Sequence, residues 1–105
     1  MRTHTWVLIG LASLLLVSGC KQPDTEAMRA YKQAQNLRDQ DKTQDAIRLF
    51  RRATELEPSF DKPYLDLAQL YEGLGDNANA AIYYAKFVDV TRNEQMREKA
   101  RSFLE

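Results

Sequence analysis

Few side chains in this sequence are suited to nucleophilic or acid–base chemistry. The 105 residues contain one cysteine, Cys20, and one histidine, His4. An apolar run over residues 6–17 leads to two small residues, Ser18 and Gly19, directly before the cysteine. Small residues let an extended backbone enter a peptidase site, and a lone thiol at such a boundary is available as a nucleophile. Cys20 is therefore the first candidate for chemistry in this sequence.

Residues 1–19 have the layout of a secretory signal: a basic start, a short apolar segment and small residues at a cleavage point. The apolar segment is clearly shorter than the about 20 residues that a membrane-spanning helix needs. The ending Val17-Ser18-Gly19-Cys20 resembles the lipobox of bacterial lipoproteins. That resemblance implies cleavage before Cys20, a diacylglycerol on its thiol and acylation of the new amino group. An ordinary secretory signal with a chance cysteine and an uncleaved anchor remain alternatives.

Cleavage would remove the only histidine and the lipid would block the only thiol, so neither a Ser-His nor a Cys-His nucleophilic site could form. A zinc site would lack ligands for the same reason. The acidic cluster Asp39, Asp41 and Asp45 is spaced faintly like a calcium loop, but Gln44 and Phe50 occupy the places of its turn glycine and bidentate glutamate. We interpret the cluster as a solvated turn, and we predict no catalysis, no metal and no cofactor beyond the covalent lipid.

The charge balance excludes another broad class of function. The chain has 15 Lys and Arg against 15 Asp and Glu, whereas a general nucleic-acid binder carries a basic excess. The hydrophobic content of 44% is sufficient for a small core, and the length allows one small domain. The sequence therefore predicts one small folded domain that does not bind nucleic acid.

An internal repeat follows the signal. A shift of 34 residues places Ala34 on Ala68, Ala46 on Ala80 and several aromatic residues on one another. This spacing resembles the tetratricopeptide repeat, a helix-turn-helix unit, with a first unit at about 27–60 and a second at about 61–94. The resemblance implies an all-α fold of antiparallel helical hairpins stacked as a short solenoid.

The predicted organisation has four segments. They are the cleaved signal at 1–19, the acylated cysteine and a short tether at 20–25, two helical hairpins at 26–94 and a capping helix at 95–105. Repeat arrays need such a cap to cover their last apolar face.

Particular residues are expected to cap the helices or to end them. Asp24 is placed to cap the first helix and Asp76 the fourth. Gly75 is expected to take a positive φ in the turn of the second unit, where the first unit has Asp41. Pro58 is expected to close the first unit, because the residue before a proline is biased away from helix.

The resemblance also implies where a partner would bind. In stacked helical hairpins the first helix of each pair lines the concave side of the solenoid. The candidate partner-binding residues there are Tyr31, Gln35 and Arg38 in the first unit and Leu65, Gln69 and Glu72 in the second. Tyr and Leu can anchor apolar groups, and Gln and Arg can bond a peptide backbone. The alternative is that these positions are simply solvated.

One subclass of the family binds a terminal carboxylate through a clamp of Lys, Asn and Arg. The corresponding positions here hold other residue types, so we do not expect that specificity: Tyr31, Gln35, Asp66, Met96 and Ala100.

These observations predict a lipid-anchored, non-catalytic interaction or assembly module in a bacterial cell envelope. Its partners would be the membrane, through the lipid, and another envelope protein or peptide. Lys21 follows the cysteine where an Asp would favour inner-membrane retention, so the outer membrane, facing the periplasm, is favoured if the source is Gram-negative. Two repeats and a cap are marginal for stability, which makes a homodimer possible. The alternative is an accessory or regulatory subunit of an envelope enzyme, such as a peptidoglycan synthase or hydrolase.

Overall fold

The computed structural model describes residues 24–105, and these form five helices joined by short turns. The helices are α1 (Glu26–Asp39), α2 (Thr43–Leu56), α3 (Asp61–Gly73), α4 (Asn77–Val90) and α5 (Glu94–Leu104). Each helix packs against the next one along the chain, so α1 and α2 form one hairpin, α3 and α4 a second, and α5 covers α4. The predicted all-α stack of helical hairpins is confirmed.

The core consists of two apolar clusters in which alanines face aromatic rings. In the first, Phe50 is completely buried against Ala34 and Ala46. In the second, Tyr84 and Phe87 pack around smaller residues of α3, α4 and α5. The small side chains let neighbouring helices approach closely, and the rings fill the space between them. This pairing explains why alanine recurs at the same places in both repeats.

The turns within the two hairpins have the same backbone geometry. Asp41 has a φ of 58° and Gly75, 34 positions later, has a φ of 75°. The Asp76 side chain accepts a hydrogen bond from the backbone N–H of Asn79 and caps α4, whereas Lys42 makes no such bond at the start of α2. The predicted roles of Gly75 and Asp76 are confirmed.

The predicted cap of the first helix is wrong by one residue. Thr25, not Asp24, is the N-cap, and its hydroxyl accepts from the Met28 N–H at 3.1 Å. A cap must directly precede the first helical residue, and α1 begins at Glu26. The Asp24 carboxylate instead pairs with the Lys32 ammonium at 3.0 Å.

The junction between the two hairpins and the junction before α5 are held by different contacts. Glu57 is extended before Pro58, whose carbonyl accepts from the Tyr64 hydroxyl at 2.9 Å, so Pro58 closes the first unit as predicted. At the later junction Thr91 is 1% exposed, and its hydroxyl donates to Asp61 Oδ2 at 2.8 Å. Arg97 of α5 donates to the carbonyls of Val88 and Thr91. A buried threonine and an arginine thus fix α5 against the end of α4.

The predicted signal and modification site, with Val17, Ser18, Gly19 and Cys20, lie outside the described residues. Within residues 24–105, none of the helices has the length and apolar character needed to cross a bilayer.

Candidate functional site

The six residues predicted to bind a partner all lie on the first helix of a hairpin, three on α1 and three on α3. We call the surface formed by α1, α3 and α5 the concave face. The structure divides the six residues into two groups with different surroundings. The first group contacts other residues of the same chain, and the second lines an open hollow.

In the first group, Tyr31 is held by aromatic and polar contacts. Its ring lies 5.6 Å from that of Phe50 and 5.2 Å from that of Phe60, between centroids. The Gln35 amide donates to the Tyr31 hydroxyl at 3.1 Å. These contacts make Tyr31 part of the packing between α1 and the residues that follow α2.

Arg38 completes this group through an ion pair between the two hairpins. Its Nη1 donates to Asp66 Oδ1 on α3 at 2.7 Å, and only 13% of the Asp66 side chain is exposed. Burial, followed by the neighbouring Asp66 carboxylate, raises the pKa of Tyr31 well above its usual range, so its hydroxyl stays protonated. Charge-assisted hydrogen bonds of this kind fix orientation as well as adding stability.

Sequence reasoning did not give Asp66 a role. The pair joins residues that are 28 positions apart on successive first helices. An acid on α3 that matches a base on α1 was the available signal, but the repeat alignment compares equivalent positions and does not show which neighbours touch.

In the second group, Leu65, Gln69 and Glu72 line a hollow of about 380 Å³ between α3 and α5. Apolar side chains of α4 and α5 complete its wall, among them Tyr84 and Phe103, whose ring centroids are 4.3 Å apart. The remaining lining residues are Met96, Lys99, Ala100 and Ser102. The hollow has two features of a typical ligand site: an apolar interior and a few polar groups at its rim.

A hydrogen bond fixes one of those rim groups. The Tyr84 hydroxyl donates to Glu72 Oε2 at 2.7 Å. Burial and this bond to the carboxylate raise the pKa of Tyr84 to about 12. The tyrosine therefore remains a donor at neutral pH, and the Glu72 carboxylate is held at the edge of the hollow.

A second, smaller hollow of about 240 Å³ adjoins the first near the start of α3. Leu65 and Met96 line both hollows, and Tyr31 and Lys62 line the smaller one. The two hollows therefore form one furrow along α3 with α5 on one side. Tyr31 is the point at which the first group of predicted residues reaches this furrow.

The acidic side chains of the described residues were candidates for a metal site. Across residues 24–105, no group of three or more His, Cys, Asp or Glu side chains is placed to hold a metal ion. In the acidic cluster of the first hairpin, Asp39 pairs with Arg38 at 3.5 Å and Asp45 pairs with Arg48. Asp41 occupies the turn itself.

Comparison with known proteins agrees with this geometry. Residues 62–94, which cover nearly all of α3 and the whole of α4, match the family model of the tetratricopeptide repeat. The chain is also similar to the crystal structure of a tetratricopeptide repeat domain protein from Salinibacter ruber, with a TM-score of 0.66 and 24% sequence identity over 76% of this chain and 92% of that chain. The described domain has the tetratricopeptide repeat fold. No curated protein sequence matches the chain.

A tetratricopeptide repeat domain suggests a protein-interaction module, because its stacked helices present an extended surface. The furrow along α3 gives that surface a region with both depth and apolar character.

Proposed function

We propose that this chain is a non-catalytic interaction module, anchored by lipid on Cys20 in a bacterial cell envelope, which binds a segment of another envelope protein. The observation that supports a binding role is the furrow, whose two hollows are both lined by Leu65 and Met96. Its larger hollow, at about 380 Å³, falls within the about 300–1,000 Å³ typical of ligand pockets.

The furrow suits a side chain of a partner protein for two reasons. Its interior is apolar, so an incoming apolar side chain gains burial without leaving polar groups unpaired. Its rim carries polar groups, such as Gln69 and Glu72, that can fix the orientation of a peptide. Interfaces derive most of their affinity from such a pocket filled by one or two anchor residues.

The proposal of membrane anchoring rests on the resemblance of the segment Val17-Ser18-Gly19-Cys20 to a lipobox. The tether over residues 21–25 spans at most about 17 Å when extended, and α1 begins directly after it at Glu26. An acylated Cys20 would hold the start of α1, and with it the domain, close to the bilayer. The partner is therefore a protein in or at the same membrane, and a lysine at position 21 favours the outer membrane, facing the periplasm, in a Gram-negative source.

Affinity capture from detergent-solubilised membranes tests the binding role. The double variant Leu65→Gln/Met96→Gln makes both hollows polar and is expected to abolish capture of the partner. The matched control is Leu74→Gln/Ile82→Gln, which changes two residues that are 52% and 50% exposed and line neither hollow. Thermal melting followed by circular dichroism verifies that both variants fold. Equal capture by a folded furrow variant and its control would refute the proposed surface.

The captured protein identifies the kind of module. A membrane-assembly client indicates an assembly factor, whereas a peptidoglycan synthase or hydrolase indicates an accessory subunit of an envelope enzyme. Anchoring is tested separately with Cys20→Ser, which is expected to move the protein from the membrane fraction to the soluble fraction. A Cys20→Ser variant that stays in the membrane fraction would rule out the lipid anchor.

A further inference from the structure

The outer side of α4, which faces away from α3, is apolar where the outer side of α2 is charged. The two helices occupy equivalent places in their hairpins, 34 residues apart. Three exposed polar or charged residues of α2 have exposed apolar residues at the equivalent positions of α4: Gln44, Arg48 and Arg51 correspond to Ala78, Ile82 and Ala85. We call the three α4 residues the outer stripe. The same fold thus carries charge on one helix and an apolar stripe on the other.

Packing among residues 24–105 does not account for the outer stripe. Its residues recur at the spacing of one helical face, and Ile82 is 50% exposed. The opposite face of α4 carries Ala80, Tyr84 and Phe87, which are buried in the core. A helix that is apolar all round is normally covered on both sides. The outer stripe therefore lacks a packing partner within this part of the chain.

We infer that the outer stripe is the contact between two copies of this chain. One large side chain, Ile82, lies between the smaller Ala78 and Ala85, so the stripe presents a ridge with a gap on each side. When two copies pack with their α4 helices antiparallel, Ile82 of each lies over Ala78 of the other. A two-fold dimer requires such a surface, because the same patch must fit itself.

The charges near the ends of α4 favour the same arrangement. Asp76 directly precedes α4, and Lys86 lies near its other end. With Ile82 over Ala78 of the second copy, Lys86 is level with the turn before the other α4, where Asp76 lies. Pairing with the other alanine of the stripe brings Asp89 to that turn instead, and like charges placed together oppose binding. Charge complementarity thus selects one of the two registers.

The outer side of α5 is less suited to contact with a second copy. Its exposed residues there are polar: Gln95, Glu98, Arg101 and Ser102. Arg101 already pairs with Glu98 at 2.5 Å. Covering these groups would remove them from water without new partners. Copies are therefore expected to associate through α4, side by side, and not by stacking on α5.

The small size of the outer stripe limits the strength of the dimer. A stable complex buries about 800 Å² of each partner and uses about 20–30 residues a side, far more than one stripe supplies. Copies that are dilute in solution are therefore expected to be monomeric. Anchoring in one membrane, for which this inference rests on the proposed function, confines the copies and raises their effective concentration. The dimer is expected at the membrane surface.

Crosslinking in isolated membranes tests the inference with the full chain. Ala78→Cys places a thiol on the outer stripe with little change in size, and Gln44→Cys places one at the equivalent position of α2. A short bis-maleimide is expected to link Ala78→Cys chains into dimers and to leave Gln44→Cys chains monomeric. The original chain measures any crosslink through Cys20. Equal dimer yields from the two variants would indicate random collision and overturn the inference.

Second substitutions identify the contact. Ile82→Arg, added to Ala78→Cys, gives α4 the residue type that α2 has at that position, so the fold is expected to be retained, as circular dichroism verifies. The dimer yield is expected to fall at least about tenfold, because like charges then meet across the two-fold axis. Lys86→Glu, added in the same way, brings an acid toward Asp76 of the second copy and is expected to lower the yield about threefold. A yield that neither substitution changes, or a crosslink to a different protein instead, contradicts the inference.

The furrow variant separates this inference from the proposed function. Leu65→Gln/Met96→Gln is expected to abolish partner capture and to leave the crosslinking of Ala78→Cys chains unchanged. Capture that does not depend on the furrow, with dimers still formed, would refute only the proposed binding surface. Capture that depends on the furrow, with no dimers, would refute only the contact between copies.

Discussion

The first helices of the two repeats carry their exposed residues at equivalent positions but use them differently. Tyr31, Gln35 and Arg38 on α1 bond to one another or to neighbouring elements. Leu65, Gln69 and Glu72 occupy the same positions on α3 and line a hollow. The difference shows that a position within a repeat does not by itself determine whether a residue binds a partner. The use of a residue depends on the helix that follows on the concave face. The helix after α1 is α3, which covers part of α1, whereas the helix after α3 is α5, which leaves a furrow beside α3.

The two hairpins also differ in local construction. The second has glycine at the positive-φ position and a capping aspartate after it, at positions 75 and 76. The first has Asp41 and Lys42 there, with a strained turn residue and no side-chain cap. The Arg38–Asp66 pair is one contact that joins the first hairpin to the second.

The largest expected difference is between truncation of Tyr31 and of Leu65. Tyr31→Ala removes a ring that packs against Phe50 and Phe60 and should lower the free energy of unfolding by about 3 kcal/mol. Leu65→Ala removes a half-buried side chain and should cost only about 1 kcal/mol, yet it should weaken partner capture. Urea unfolding measures the first effect and capture the second. Equal stability losses would contradict the division between the two helices.

The ion pair gives the next largest effect. Arg38→Met leaves the largely buried Asp66 carboxylate without its cation and should cost about 2 kcal/mol. Glu72→Gln, at the equivalent position of the second repeat, keeps an acceptor for the Tyr84 hydroxyl and should cost less than about 0.5 kcal/mol. A double-mutant cycle with Asp66→Asn checks the origin of the loss. Strictly additive Arg38 and Asp66 effects would show that the pair contributes nothing.

The turns should respond to glycine in opposite directions. Gly75→Ala should destabilise the domain by about 1 kcal/mol, because a side chain at positive φ is strained even though its Cβ would meet no atom within 4 Å. Asp41→Gly should stabilise it by up to about 1 kcal/mol for the same reason. Thermal melting of the two variants measures both. A destabilised Asp41→Gly variant would mean that the aspartate side chain makes an unrecognised contribution to its turn.

The smallest expected effect is a difference in acid sensitivity. Hydrogen bonds from the side chain and the backbone of Asn79 lower the pKa of Asp76 below its unfolded value of 3.8. The stabilisation is therefore present above pH 3.8 and is lost as the pH falls through the folded-state pKa. Melting curves from pH 6 to 2 should show that the original chain and Asp76→Ala differ at neutral pH and converge in acid. A gap that persists at pH 2 would show that the charge of Asp76 is not what stabilises α4.

Much of the fold followed from the sequence because its signals are local or periodic. The 34-residue shift identified both hairpins, and Gly75 with Asp76 marked a turn whose geometry depends on nearby residues only. The cap of α1 was assigned to the wrong residue because adjacent Asp24 and Thr25 are both good caps, and propensity alone does not choose between them.

The candidate site was less predictable because it depends on contacts between helices. The sequence placed six residues on the right helices, but it did not indicate that Tyr31 packs on Phe60 or that Arg38 meets Asp66. The role of Thr91 was equally hidden, since its partner Asp61 is 30 residues away. Acylation of Cys20 stays a prediction.

The attachment of α5 links occupancy of the furrow to survival of the fold. One wall of the furrow belongs to α5, which Arg97 holds to the end of α4. A ligand that bridges α3 and α5 binds only while α5 is docked, so it raises the free energy of unfolding, by about 2.7 kcal/mol at a free concentration one hundred times its Kd. In a cell, copies without a partner would open more often and be degraded first by proteases, so the amount of this protein would follow the amount of its partner.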